Sequence, residues 1–370
     1  MTTLADLTTL RVGGPARNVV EARSERDLID AVREADATGT PLLMLGGGSN
    51  LLVGDQGFDG VVVRDARSEI SLQNDGACGG VSITATAGTP WDHLVETAVA
   101  EDWMGLEALS GIPGSTGATP VQNVGAYGQE VGDTIALVRT WDRTEERVRS
   151  FPLVALQFGY RDSLLKRSMR GEAPDGGVWH PTPRYIVLDV TFHTRMATLS
   201  APIRYAQLAA ALDVAEGERA PLTEVREAVL ALRRSKGMVL DSGDHDTWSA
   251  GSFFTNPLLD EASAAALPQD APRYAAAGGK VKTSAAWLIE HAGFSRGFAV
   301  AADARASLST KHTLALTNRG GATAADVVAL ARAVQAGVAE RFGIALVPEP
   351  VTVGVTLEVS GSHGRSVPRV

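Results

Sequence analysis

The run Gly111-Ile-Pro-Gly-Ser-Thr-Gly-Ala-Thr-Pro-Val-Gln-Asn-Val-Gly-Ala-Tyr-Gly128 holds five glycines, two prolines and no charged side chain. A solvated surface connector of that length normally carries Lys, Glu or Asp. Here the polar members Ser115, Thr116, Thr119, Gln122 and Asn123 are all neutral donors and acceptors. Glycine permits positive φ and lets a backbone come close to a flat or anionic ligand. Successive exposed amides bind phosphate oxygens without a cation. A turn-rich connector between strands is the plain alternative. The length, the missing charge and the interleaved amides favour a cofactor cradle.

A second turn has the same character. Pro41-Leu-Leu-Met-Leu45 is an apolar strand that runs into Gly46, Gly47 and Gly48, followed by Ser49 and Asn50. A strand end feeding a tight glycine turn is a common phosphate-binding place in α/β proteins. No glycine loop ends in Lys-Ser or Lys-Thr, and no strand is followed by the spaced glycines of a dinucleotide-binding turn. Another architecture is therefore required.

Length and charge narrow the function classes. The 370 residues suffice for two or three domains. With 43 acidic against 34 basic side chains, the net charge of −9 disfavours nucleic acid and anionic lipid. Small anionic ligands stay compatible with a local Arg or Lys. The single cysteine, Cys78, cannot form an internal disulfide and reads as a small side chain near a strand. No two histidines show metal-ligand spacing on a helix, so no metal is expected. The start lacks a signal-peptide pattern and no apolar run reaches bilayer length, so the expectation is a cytoplasmic protein.

Periodicity organises the chain into an α+β fold. Ser24 and Asp27 form a capping-box pattern before the apolar face Leu28, Val32 and Ala35, and Gly39 ends that helix. Strands follow at 42–45 and 61–63. Val81, Ile83, Ala85 and Ala87 alternate with Ser82, Thr84 and Thr86 as a half-buried strand. A helix spans 91–101, and strands at 135–141 and 185–192 close this part near residue 195. Further on, Thr223 is expected to cap a helix with Val225, Val229 and Leu232 on one face. Residues 284–291 form a short helix. Thr323 with Asp326 caps a longer one carrying Val327, Leu330, Val334 and Val338, closed by Gly343. Residues 344–347 and 351–353 read as one strand interrupted by Pro348-Glu-Pro350. The tail from Ser360 reads as disordered.

Three short motifs carry residues suited to chemistry. In Gly251-Ser-Phe-Phe-Thr-Asn-Pro257, Ser252 stands between a glycine that leaves space and two aromatics that exclude water. It lacks the strand–turn–helix elbow of a hydrolase nucleophile, and as a lone serine it is more often structural. In Phe158-Gly-Tyr-Arg-Asp162, Arg161 offers a bidentate fork for a carboxylate, or a surface ion pair with Asp162. Glu349, between two prolines, is aimed rather than loose, unless it marks a strand-edge bulge facing water. Lys236 sits at a helix end, where a cation is favoured anyway. Tyr205 and Tyr274 suit phosphate or sugar contact, and suit packing equally.

Together these pieces resemble the UDP-N-acetylenolpyruvoylglucosamine reductase (MurB) family. The resemblance is collinear from Thr8-Thr-Leu-Arg-Val-Gly13 to Glu349. It runs through Gly46–Asn50, Gly105-Leu-Glu107, Gly111–Gly114, Pro120–Gly128, Phe158–Arg161, Gly251–Pro257, Ala285–Ile289, Lys311-His312, Asn318 and Pro348-Glu349. Each piece alone is weak, and their order is specific.

The resemblance implies an FAD-binding domain of the PCMH/MurB type over 8–195, in two α+β lobes of about 8–65 and 66–195. It implies an α+β substrate-binding domain over 200–347, with a C-terminal strand returning Glu349 to the active site. FAD would be held non-covalently by Gly46, Gly47, Gly48, Ser49, Asn50, Ser115, Thr119, Gln122, Asn123, Gly125 and Ala126. NADPH would be the hydride donor. UDP-N-acetylenolpyruvoylglucosamine would then take hydride on its methylene carbon, leaving carbanion character beside its carboxylate. By motif, Arg161 neutralises that charge, Ser252 protonates the carbanion, and Glu349 supports from the other side. An ionised glutamate there would repel the growing charge, so it is expected protonated or paired with a cation. Tyr160, Tyr205, Lys236, Asn256 and Tyr274 are assigned to substrate. His312 goes to the pyruvyl or amide region, or is a structural histidine on a strand. The segment 240–248 has no assigned role. The partners implied are small molecules, with no nucleic acid, no membrane and a monomeric protein. The nearest rival is another flavin oxidoreductase on the same FAD-binding fold, which would not need the Ser252 and Glu349 motifs together.

Overall fold

The computed structural model describes residues 2–74, 80–173 and 176–357, so the expectations for Cys78 and for the tail from Ser360 fall outside the described residues. The chain is α+β and divides into two compact units: Met1–Thr2, Ala16–Ser49 and Phe58–Val239 form one, and Thr3–Pro15, Asn50–Gly57 and Leu240–Val370 form the other.

The first unit holds two sheets. Its small sheet is parallel, in the order Ala16–Ala22, Phe58–Asp65, Leu42–Leu45. Parallel strands are covered on both faces, which explains why Val61, Val62 and Val63 are all buried. The helix Glu25–Thr38 covers one face. Leu28, Val32 and Ala35 meet Val61 and Val63, and also Trp141, Ile186 and Leu188 of the larger sheet. Ser24 Oγ accepts the Asp27 amide at 3.1 Å, an N-cap worth about 1 kcal/mol. The Asp27 carboxylate accepts from the Arg23 amide, so the pair is a serine N-cap rather than a reciprocal capping box. Gly39 closes the helix at φ 65°.

The larger sheet is antiparallel, ordered Arg147–Pro152, Ile135–Asp142, Tyr185–Met196, Gly80–Thr86, Ile70–Asn74. Alternation in Gly80–Thr86 sends Val81, Ile83 and Ala85 into a core with Trp91, Leu94, Val95 and Ala98 of the helix Trp91–Ala100. The helices Ala206–Leu212 and Leu222–Ser235 also belong to this unit, which differs from the expected boundary near residue 195. Leu208, Ala209, Val225 and Val229 pack on Ala108, and Arg226 holds Asp92 through two bonds of 2.7 and 3.0 Å. The N-cap of Leu222–Ser235 is Pro221, not Thr223, because buried Leu222 already belongs to the first turn.

The second unit is built around the helix Ala324–Phe342. Thr323 and Asp326 form a reciprocal capping box, and Gly343 ends the helix at φ 68°. The Asp55 carboxylate adds bonds to the amides of Ala324 and Ala325, favourable at a helix N-terminus. Val327, Leu330, Val334 and Val338 pack with Phe253, Phe254, Leu288, Ile289, Leu308 and Leu316. Leu10, Val12 and Leu52 join that core, and Leu51–Val53 pairs in parallel with Val351–Val353. Those contacts draw residues 3–15 and 50–57 into this unit although they precede it in sequence. The expected strand over 344–353 is regular only at Val351–Val353. Among the described residues no helix is long and apolar enough to cross a membrane.

Candidate active site

In the first unit, the turn after Leu42–Leu45 and the run from Gly111 interlock backbone to backbone. A Cβ added at Gly46 would lie 2.5 Å from Ser115 Oγ, and one at Gly47 2.6 Å from Gly114 Cα. Gly114 itself sits at φ 128°, where a side chain would be strained. Ser49 Oγ donates to the Pro113 carbonyl at 2.9 Å, tying turn to turn. Ser115, Thr119, Gln122 and Asn123 are buried, which explains the lack of charge. Part of this polar set serves the loop: Thr116 Oγ1 donates to the Thr89 carbonyl and Thr119 Oγ1 to the Thr116 carbonyl. Asn50 lies in the second unit, where its Nδ2 donates to the Glu349 carbonyl at 3.5 Å.

The cradle fits a flat cofactor bearing a diphosphate. Glycines stand where a Cβ would force the two turns apart. Asn123, in the left-handed region at φ 43°, donates through Nδ2 to Glu130 and to the Gly159 carbonyl. Its buried Oδ1 has no hydrogen-bond partner among the described residues. Such orphans are rare and costly, and a ring N–H would satisfy this one. After Asn123 the chain forms the hairpin Gly125–Ala126 with Gln129–Glu130, turning at Tyr127 and Gly128, both at positive φ.

Arg161 is fixed from several sides. Gly159 and Asp162 exchange two backbone bonds, leaving Tyr160 and Arg161 at the tip of a tight turn. Arg161 adopts φ 53°, a conformation that costs about 1–2 kcal/mol for a residue with a Cβ. Its guanidinium donates to the carbonyls of Asn123 (3.1 Å) and Gly125 (2.6 Å) and lies 5.7 Å from the Tyr160 ring centre. The Asp162 carboxylate is engaged by Arg167 and Arg170.

Tyr205 and Lys236 come together around Tyr127. The two tyrosine rings meet edge to face at 5.4 Å, and Lys236 Nζ lies 5.5 Å from the Tyr127 ring centre. Lys236 also donates to Gln207 at 2.6 Å. Burial, then the neighbouring Arg233, lowers the Lys236 pKa, and burial raises that of Tyr127. Tyr127 and Arg233 were not singled out by the sequence reading. Arg233 is held by one bond to the Met238 carbonyl, its pKa is lowered by burial, and its Nε has no partner among the described residues. An under-satisfied guanidinium beside a lysine suits an anionic ligand. Its signal was the basic run Arg233-Arg-Ser-Lys236, which helix-end electrostatics alone also explains.

In the second unit, the backbone segments that carry Ser252 and Glu349 run side by side. The Glu349 amide donates to the Phe253 carbonyl at 2.9 Å and the Thr255 amide to the Val347 carbonyl at 3.0 Å, an antiparallel pairing of the two motifs. Phe253 and Phe254 are buried in the core at 0% and 1% exposure, so this pairing is rigidly seated. Gly251 sits at φ 72° with nothing within 4 Å of where its Cβ would be, which leaves room beside Ser252. Asn256 Oδ1 accepts the Ala285 amide at 2.9 Å. Tyr274 is exposed on the short strand Tyr274–Ala275. His312 sits in the turn between the strands Ala306–Leu308 and Leu316–Asn318, not on a strand, because its carbonyl accepts the Ala315 amide to close that turn.

The segment 240–248 anchors the approach to Ser252. The buried Asp246 carboxylate accepts from the Thr310 amide and hydroxyl and from Arg319. Burial acts to raise its pKa, but these bonds and the Arg319 charge outweigh it and hold the carboxyl below its ordinary value. Trp248 stacks under the Arg11 guanidinium at 3.9 Å, and the Ser249 carbonyl accepts Thr9 Oγ1 at 2.7 Å. Of the residues expected to act, Arg161, Tyr160, Tyr205 and Lys236 belong to the first unit and Ser252, Glu349, Asn256, Tyr274 and His312 to the second. No group of three or more potential metal ligands occurs among the described residues.

Comparison with known proteins agrees with these motifs. Residues 16–150 match the FAD binding domain family, and residues 243–353 match the C-terminal domain of UDP-N-acetylenolpyruvoylglucosamine reductase. The chain is 55% identical to the UDP-N-acetylenolpyruvoylglucosamine reductase of Cutibacterium acnes, over 96% of this chain and 90% of that one. It is 50% identical to the enzyme of that name from Thermobifida fusca, over 96% and 97%. The crystal structure of UDP-N-acetylenolpyruvylglucosamine reductase (MurB) from Thermus caldophilus, 25% identical, matches with a TM-score of 0.59 over 95% of this chain and 97% of that one. With the glycine cradle, the Arg161 turn and the Ser252–Glu349 pairing all falling within the matched length, this chain belongs to the UDP-N-acetylenolpyruvoylglucosamine reductase family.

Proposed function

We propose that this enzyme reduces the enolpyruvyl group of UDP-N-acetylenolpyruvoylglucosamine to give UDP-N-acetylmuramate, a step in peptidoglycan precursor synthesis. The single observation that supports this most is the pairing of the Ser252 and Glu349 motifs on adjacent, core-anchored segments. FAD, when bound, would supply the hydride-transfer chemistry between NADPH and the substrate. Gly46, Gly47, Gly48, Ser49, Asn50, Ser115, Thr119, Gln122, Asn123, Gly125 and Ala126 are the residues that would hold it.

The protein's own side chains manage charge and one proton. Hydride on the methylene carbon leaves an electron pair beside the carboxylate, an enediolate-like species. Arg161 binds that carboxylate and offsets the extra charge, its guanidinium being held in place by two backbone carbonyls. A guanidinium has five N–H donors, so carbonyl and carboxylate binding are compatible. Ser252 Oγ delivers the proton to carbon as general acid. Glu349, fixed by its bonded amide, supports that protonation from the other side. Tyr205, Lys236 and Arg233, with Asn256 and Tyr274, bind the nucleotide diphosphate end, and Tyr160 and His312 complete the substrate contacts.

The same reading makes the enzyme a cytoplasmic monomer acting on small molecules only, to be checked by light scattering. The test of function is spectroscopic. Purified protein is expected to be yellow, to bleach with NADPH, and to regain colour on adding the enolpyruvyl sugar nucleotide. Colourless protein that takes up no FAD on reconstitution contradicts the proposal.

A further inference from the structure

Lys166 is a buried cation, at 9% exposure, in the first turn of the helix Leu164–Met169. Removing an ammonium from water is costly unless it is hydrogen-bonded. Its Nζ donates to Gln122 Oε1 at 2.7 Å and to the Arg161 carbonyl at 3.1 Å. One partner lies in the glycine cradle. The other is the peptide of the arginine assigned to the substrate carboxylate. We infer that Lys166 is a positioning residue that locks Arg161 to the cofactor cradle, so that the carboxylate-binding fork and the cofactor are held in one register. The inference rests on the functional reading above and deepens it.

The bonding pattern carries the argument. The head of Arg161 donates to Asn123 and Gly125, and its carbonyl accepts from Lys166, which also grips Gln122. Both ends of the arginine are therefore tied to the same stretch, 122–125. Its backbone occupies the left-handed region, which a residue with a Cβ holds only when its surroundings over-determine it. Lys166 supplies one of those constraints. Ser163, in the same turn, makes a useful contrast. Its Oγ accepts the Lys166 amide and donates to the Val121 carbonyl, stitching helix to cradle without a side-chain bond to Arg161 or Gln122.

The test compares Lys166→Met, Lys166→Arg and Ser163→Ala with the parent enzyme. The readouts are FAD affinity of the apoprotein by flavin fluorescence, the rate of recolouring with sugar nucleotide, and the melting temperature. Lys166→Met is expected to slow recolouring about 10- to 100-fold, the range a small misplacement produces, and to weaken FAD binding. Lys166→Arg, which keeps the donors, is expected to recover most of the rate. Ser163→Ala is expected to lower the melting temperature while keeping recolouring within about threefold of the parent. Should Lys166→Met fail to fold, Lys166→Gln carries the same test. Recolouring and FAD affinity unchanged in the lysine variant would overturn the inference alone. So would an equal rate loss in Ser163→Ala, or no recovery in a folded Lys166→Arg. A parent enzyme that takes up no FAD would overturn the functional reading and this inference with it.

Discussion

The glycine cradle of the first unit and the Ser252–Glu349 pairing of the second make opposite use of side chains. In the cradle, the proposed function resides in what is missing: Gly46 and Gly47 meet Ser115 and Gly114 at distances a Cβ would violate. In the second unit, the proposed chemistry resides in two side chains carried by segments whose neighbours, Phe253 and Phe254, are buried in the core. A backbone site fails when atoms are added. A side-chain site fails when atoms are removed. Substitutions of both kinds therefore separate binding from chemistry.

The largest expected effect is at the hydroxyl. Ser252→Ala removes the proposed general acid and should slow recolouring by about 10²- to 10⁴-fold, with bleaching by NADPH near normal in stopped-flow absorbance. Gly47→Ala adds one carbon against the Gly114 backbone. Overpacking costs of about 1–3 kcal/mol translate to roughly 5- to 150-fold weaker FAD binding, measurable by fluorescence titration. Glu349→Gln keeps shape but alters proton availability. Turnover about 10-fold lower with unchanged FAD affinity is expected, and full turnover would remove Glu349 from any acid role.

A smaller effect concerns acid stability and probes both regions at once. Asp92, bonded to Arg226 and to the Gly111 amide, anchors the cradle, and Asp246 anchors the approach to Ser252. In each, burial acts to raise the pKa, but bonds and positive neighbours win and hold it low. Between that lowered value and the unfolded value of about 3.9, the unfolded chain binds more protons. The stabilisation is thus full above the unfolded value and is lost as pH falls through the folded one. Asp246→Asn should melt lower at neutral pH and show a flatter acid limb in thermal melts across pH. It should also slow recolouring more than it weakens FAD binding, whereas Asp92→Asn should do the reverse.

Much of this was legible in the sequence because the signals were local. Ser24 and Gly39 bound their helix, Thr323 and Gly343 theirs, and the alternation from Val81 marked its strand. The order of the motifs carried the family. What escaped depended on contacts distant in sequence. Nothing near Leu51 announces that it pairs with Val351, and nothing near Leu222 announces that its helix packs on Ala108. Thr223 looked like a cap because propensity cannot weigh the burial of Leu222. Nothing in the sequence around Lys166 announces its burial. The segment 240–248 gained a role through partners distant in sequence, among them Arg11, Thr310 and Arg319, each more than 60 residues away.

The central claim is that cofactor retention and proton delivery are separable, one by backbone and one by a hydroxyl. The most direct measurement is FAD affinity and recolouring rate on a single preparation of Ser252→Ala. The account predicts FAD affinity within about twofold of the parent, with recolouring almost abolished. Recolouring at the parent rate, or loss of FAD together with loss of rate, would contradict it.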